Sequence, residues 1–233
     1  IVTDPPFFIS IGRAVGWQEQ RGVGVDPWTK DAVSSMDEMI AWSTPLAEQC
    51  ARILRPGGST VVMGSSQSIS AWEVAASRVG LQWMAELTVL WNTGKPRARN
   101  FGSLTTTIRW HIRPGARHAF ETEARSVYSN VLVATKVPIA DRCHPAQKPV
   151  ELTNFLISLL TREDDLVLDP YCGSGSTLVS AAMCERAWLG CDTDAESCKA
   201  AMMRTGRLEL EEAGLRPIYF WVNGRLEEIG GDD

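Results

Sequence analysis

Apolar and polar positions along the chain alternate between strand-like and helix-like stretches. Ile1-Val2-Thr3 is an apolar, β-branched opening run that predicts a strand. Residues 8–31 then mix Gly, aromatic and charged residues without a period, which predicts a long loop acting as a lid, with Trp17 and Trp28 expected to staple it to the core. From Val33 to Leu54 a helical period places Leu46, Cys50, Ile53 and Leu54 on one face, and Pro45 is expected to kink the helix or divide it in two. Arg55-Pro56-Gly57-Gly58 ends that helix. Ser59 to Gly64 reads as a buried strand, and Ile69, Trp72, Ala76 and Val79 form the stripe of an amphipathic helix after it. A further strand is expected from Trp83 to Trp91.

Residues 92–126 lose this regularity and predict an insert, interrupted by a short strand around Ile108 to Ile112. Regularity returns at Val127 to Thr135. In Val150 to Thr161 the residues Leu152, Phe155, Leu156, Leu159 and Leu160 fall at i, i+3, i+4, i+7 and i+8, the clearest helical stripe in the chain. It leads into strands at Leu166 to Asp169 and Ala187 to Cys191, and the tail from Gly230 to Asp233 is expected to fray. Alternating strands and helices predict an α/β fold, a mostly parallel sheet with helices on both faces.

With 233 residues, 44% of them hydrophobic, the chain has enough apolar material for one substantial core, so a single domain is expected. The opening without an initiator Met reads as a strand entered partway, with more chain expected upstream. No apolar run is long enough to cross a membrane and no secretory pattern stands at the start, which predicts a soluble protein of the cytoplasm. Six cysteines without Cys-x-x-Cys spacing predict reduced thiols rather than a disulfide framework. Cys143 beside His144 lacks the second ligand pair that a metal site needs, so no metal is expected. The net charge of −5 excludes a globally basic nucleic-acid coat, but charge is uneven: between residues 95 and 125 seven Lys or Arg stand against two Glu.

Two segments carry chemistry. Val167-Leu168-Asp169-Pro170-Tyr171-Cys172-Gly173-Ser174-Gly175-Ser176 is a strand, a glycine-bearing loop and a helix start, the place where open α/β sheets bind ligands. About twenty residues on, Asp192 ends a strand where such folds hold a ribose through its hydroxyls. The loop has neither the dinucleotide Gly-x-Gly-x-x-Gly nor the Lys of a phosphate loop, which disfavours NAD and ATP. At the other end of the chain, Thr3-Asp4-Pro5-Pro6-Phe7 offers a carboxylate, an outward Pro5 carbonyl and an aromatic face, a set suited to an exocyclic amine. Taken alone, each segment is an ordinary turn.

Together they are more specific. His144-Pro145-Ala146-Gln147-Lys148-Pro149, followed by the glycine loop and Asp192, closely resembles the cofactor half of S-adenosylmethionine-dependent DNA amino-methyltransferases. The resemblance extends to Asp4-Pro5-Pro6-Phe7, Arg55-Pro56-Gly57-Gly58 and Trp91-Asn92, spanning nearly the whole chain. Tyr171 stands where the family usually has Phe, and Ser176 where it has Thr. The order of motifs resembles the family's permuted β arrangement, with a catalytic half in 1–91, a basic target-recognition insert in 92–126 and a cofactor half in 127–233.

The resemblance implies a Rossmann-like methyltransferase fold of circularly permuted motif order. It also implies S-adenosylmethionine as cofactor, double-stranded DNA as partner, a homodimer, and a place in a restriction-modification system. Asp4, Pro5, Pro6 and Phe7 would be catalytic, with Phe7 stacking on a base flipped from the duplex. His144, Lys148 and Pro149 would border the cofactor, with Asp169, Gly173 and Gly175 as pocket floor, Asp192 on the ribose, and Asp4, Pro170, Tyr171 and Ser174 completing the lining. In the family, Asp at the first motif position goes chiefly with adenine N6 and Ser with cytosine N4, so adenine is expected, with cytosine N4 or an inactive DNA-binding protein as alternatives. Lys95, Arg97, Arg99, Asn100, Arg109 and Arg113 would face DNA.

Overall fold

The strands Val2–Thr3 (β1) and Ser59–Gly64 (β2) pair in parallel, with Val2 opposite Val61 and Thr3 opposite Val62. The computed structural model describes residues 1–6, 35–92, 104–121, 129–144 and 146–206, together with the backbone of 219–222 and 225–228. Phe7, the expected lid with Trp17 and Trp28, the nominees Lys95, Arg97, Arg99 and Asn100, and the tail lie outside the described residues.

Between β1 and β2 runs helix α1, Met36–Ile53. Ser35 caps it: its hydroxyl accepts from the Glu38 amide while Glu38 Oε2 accepts from the Ser35 amide, satisfying two donors that a helix start leaves open. Pro45 does not divide the helix. It lies on the exposed face with Ala41, whose carbonyl it leaves without an amide partner, so that vacancy faces water. The buried face is Met39, Ser43, Ala47 and Cys50. Ile53, expected on the core side, is 44% exposed because the face closes one turn earlier and the chain leaves the helix at Leu54.

Helix α2, Ser66–Arg78, follows β2 and buries Ile69, Trp72 and Ala76, three of the four expected stripe residues. The strand Gln82–Trp91 (β3) returns antiparallel as Thr105–Ile112 (β4), which slots between β2 and β3. Val131–Ala134 (β5) adds to the outer edge of β3 in parallel. Of these five strands only β4 is reversed, so the sheet is mostly parallel. An eight-residue interior strand thus occupies part of the stretch expected as an insert. Its pattern alternates, with Ile108, Trp110 and Ile112 on one core face and Arg109 and His111 between them.

Alternation in β2 supplies both layers. Val61 and Met63 point into a core completed by helix α3, Val150–Leu160, through Leu152, Leu156, Ile157, Leu159 and Leu160. Val62 points the other way, against Ala47, Cys50, Ile69 and Trp72 of α1 and α2. The strands Leu166–Asp169 (β6) and Ala187–Gly190 (β7) pair in parallel, with helix α4, Ser176–Met183, between them in sequence. Helix α5, Ala195–Gly206, follows β7, and Tyr219–Val222 (β8) pairs antiparallel with Arg225–Glu228 (β9). No period in the sequence had marked α5, β8 or β9.

Gly57 sits at a left-handed φ of +78°, and a Cβ there would lie 2.8 Å from the Arg117 carbonyl oxygen. Its amide donates to the Arg113 carbonyl at 2.7 Å, tying the α1–β2 turn to the end of β4. Gly57→Ala should therefore cost about 1–3 kcal/mol in a urea titration; an unchanged midpoint would show that the turn tolerates a side chain.

Candidate active site

The C-terminal ends of β1 and β6 meet through side chains. Thr3 Oγ1 donates to Asp169 Oδ1 at 2.7 Å, and the Tyr171 amide donates to the same oxygen at 3.1 Å. Asp169 is 3% exposed. Burial pushes its carboxyl above the ordinary aspartate range, hydrogen bonds from Thr177, Thr3 and Tyr171 pull it back, and the Asp192 charge adds to the rise.

Beyond Asp169 the chain turns through Gly173 and Gly175, at φ of +49° and +76°, before α4 begins. A Cβ on Gly175 would stand 2.8 Å from Ala201 Cβ, so glycine lets the loop close on α5. The His144 ring lies beside Gly173, within 3.6–3.9 Å of where a Cβ would be. Arg204 of α5 pins the loop by donating to the Ser174 carbonyl at 2.6 Å and to the Ser174 and Ser176 hydroxyls at 3.1 Å. Asp192, after β7, accepts from the Gly173 amide at 2.8 Å through Oδ2 and from the Asp194 amide at 3.0 Å through Oδ1. Each of its oxygens keeps a second lone-pair direction for a hydroxyl.

Asp4 follows β1 directly and forms an ion pair with Lys148 through Oδ2. Both side chains are mostly buried, at 18% and 13% exposed. Asp4 Oδ1 is buried and has no hydrogen-bond partner among the described residues. Lys148 Nζ also donates to the Ala146 carbonyl at 3.3 Å, and its own carbonyl accepts from Ser176 Oγ at 2.8 Å, so its loop is fastened to the start of α4. Pro149 stands at the N-terminus of α3. Pro5 and Pro6 line a small recess with Trp42, Ile69 and Trp72, and the Tyr171 and Trp42 rings lie 5.9 Å apart.

The structure thus brings Asp4, His144, Lys148, Pro149, Asp169, Pro170, Tyr171, Gly173, Ser174, Gly175 and Asp192 to the ends of β1, β6 and β7. Thr3 and Arg204 belong with them. The sequence signalled neither, because their partners are 166 and 30 residues away. Arg109 and Arg113 are placed elsewhere. Arg109 pairs with Glu73 of α2 at 3.2 Å and with Glu86 of β3, leaving its side chain 19% exposed. Arg113 donates to the Arg52 and Leu54 carbonyls, closing the C-terminus of α1.

A glycine loop after β6 and an acid after the neighbouring β7 form the strand-end crevice in which open α/β folds bind nucleoside cofactors. The residues fit such a group: the loop glycines leave a floor without Cβ atoms beside His144, and Asp192 retains acceptor capacity. The profile of the DNA methylase family, covering N6 and N4 enzymes, matches residues 1–203, and the chain belongs to that family. It is 29% identical over 220 residues to the Type II methyltransferase M2.DpnII of Streptococcus pneumoniae, covering 88% of this chain and 81% of that one. Among solved structures it resembles the PvuII cytosine-N4-specific DNA methyltransferase (TM-score 0.68, 18% identity, 93% of this chain and 86% of that one). It likewise resembles the M1.HpyAVI–SAM complex (TM-score 0.64, 21% identity, 88% and 98%). At these identities the two structures establish a shared fold. Among the described residues no helix is long and apolar enough to cross a membrane.

Because the folded protein holds the Asp169 proton more tightly than an unfolded chain with its value of 3.8, this group's contribution to stability is greatest below that value and is lost as pH rises through the folded pKa. Asp169→Asn, which keeps an acceptor for Thr3 and Tyr171, should melt above wild type at pH 7, with the gap narrowing as pH falls. A variant that melts lower at pH 7 would show that the carboxylate is needed by the fold.

Proposed function

We propose that the protein transfers a methyl group from S-adenosylmethionine to the exocyclic N6 amine of an adenine flipped out of double-stranded DNA. The observation that carries this reading is the buried, unpartnered Asp4 Oδ1, one residue from the Thr3–Asp169 bond that ties it to the cofactor cleft. A buried carboxylate oxygen without a donor is costly, and an amine N–H is the donor that would relieve it.

Adenine N6 is a poor nucleophile because its lone pair is delocalised into the ring. Asp4 Oδ1 and the Pro5 carbonyl, accepting the two N–H groups, favour a more tetrahedral nitrogen whose lone pair is free to attack. S-adenosylmethionine held in the cleft would supply an electrophilic methyl, with its sulfur as the leaving group, and the amine nitrogen, oriented by Asp4 and Pro5, would give up one proton to Asp4 or water. Asp192 holds the ribose, and His144 and Tyr171 flank the cleft. Phe7 stacks on the flipped base, and Lys95, Arg97, Arg99 and Asn100 contact the duplex. Asp rather than Ser at position 4 favours adenine over cytosine N4 through the family resemblance.

Asp4→Ala is expected to abolish methyl transfer while cofactor affinity, read by calorimetry, stays within about threefold, whereas Asp192→Ala should weaken cofactor binding at least tenfold. Wild-type turnover by the Asp4 variant would remove the proposed acceptor. Replacing Arg97 and Arg99 together by Ala should weaken DNA binding and lower the slope of log K against log[salt] by roughly two, about 0.9 per lost phosphate contact. An unchanged slope would move the DNA face elsewhere.

A further inference from the structure

We propose that Lys148 is a positioning residue for Asp4: its ammonium occupies Oδ2 and thereby presents Oδ1 alone to the incoming amine. This assignment rests on the reading of Asp4 as the amine acceptor. A carboxylate has two equivalent oxygens and turns about its last bond, so either could meet the base unless one is held. Here the ion pair holds one, and the other is buried and unpartnered among the described residues. The cation is itself held, since its carbonyl is fastened by Ser176 Oγ and Pro149 starts α3 directly after it. The paired cation also offsets the desolvation of the carboxylate it faces. The ammonium is thus directed at the base-accepting carboxylate, a different duty from lining the cofactor.

Burial brings Lys148 down from the ordinary lysine value of 10.5 to about 8, with the Asp169 carboxylate on β6 opposing the fall. Asp4, after β1, faces the same ammonium through Oδ2. Asp192 faces Asp169 from the end of β7, and His144 stands on the Lys148 loop beside Gly173. With the cation lost above its pKa, Oδ2 is no longer held and Asp4 is free to turn, so turnover should fall on the alkaline side.

The test compares Lys148→Met, Lys148→Arg and the double variant Asp4→Asn/Lys148→Met with wild type. In Lys148→Met, kcat should drop about 100-fold while cofactor affinity by calorimetry stays within about threefold. Lys148→Arg should recover about tenfold of the loss and shift the alkaline limb upward, because a guanidinium stays charged. Lys148→Met should also melt below the double variant, since it leaves a buried charge unpaired and the double variant does not. Unchanged kcat in Lys148→Met, or a parallel tenfold loss of cofactor affinity, would overturn the assignment. A double variant no more stable than Lys148→Met would overturn the pairing itself without any activity being measured. Absence of methyl transfer by wild type would instead strike the proposed function and leave the melting comparison to decide the pairing.

Discussion

Two carboxylates, Asp4 and Asp169, are buried at the ends of strands whose residues stand at opposite ends of the chain, and the protein keeps them by giving each a partner from far away. Thr3 donates to Asp169 across 166 residues, and Lys148 pairs with Asp4 across 144. Without these, two desolvated acids would lose the groups that offset their burial. With them, the Asp4 corner and the glycine loop become one site. Most of the remaining site structure serves that junction. Ser176 fastens the Lys148 loop, Arg204 pins Ser174 and Ser176, and Gly175 lets the loop close on Ala201.

Those acids are retained against stability. Burial raises the Asp169 carboxyl, three hydrogen bonds only partly compensate, and among the described residues Asp4 keeps one oxygen without a partner. A fold selected for stability alone would satisfy or remove them. In the proposed function both serve the reaction, one as floor of the cofactor cleft and the other as acceptor for the amine.

Periodicity made much of the fold readable. Ser59–Gly64 and Leu166–Asp169 were bounded correctly because each is a buried run between turn residues, and α3 stood out through its five-residue apolar stripe. The glycine loop and the placement of Asp192 beside it were readable because both follow from local strand–loop–helix spacing. What escaped depends on distant partners. Arg109 and Arg113 stood in a basic, irregular stretch that suggested a nucleic-acid face, yet Glu73, Glu86 and the end of α1 engage them. The alternation of Ile108, Trp110 and Ile112 marked a strand, but not its place inside the sheet, which needs β2 and β3 on either side. Thr3 looked like a mere strand residue, since nothing within its neighbourhood reveals Asp169.

The proposed chemistry turns on which atom accepts the methyl group. The most direct measurement is incubation of the protein with mixed-sequence duplex DNA and methyl-labelled S-adenosylmethionine, followed by digestion and mass spectrometry of the nucleosides. Label on N6-methyladenine is the predicted result. Label on N4-methylcytosine would keep the amine chemistry and contradict the base assignment, and cofactor binding with no label on any DNA nucleoside would contradict the account at its centre.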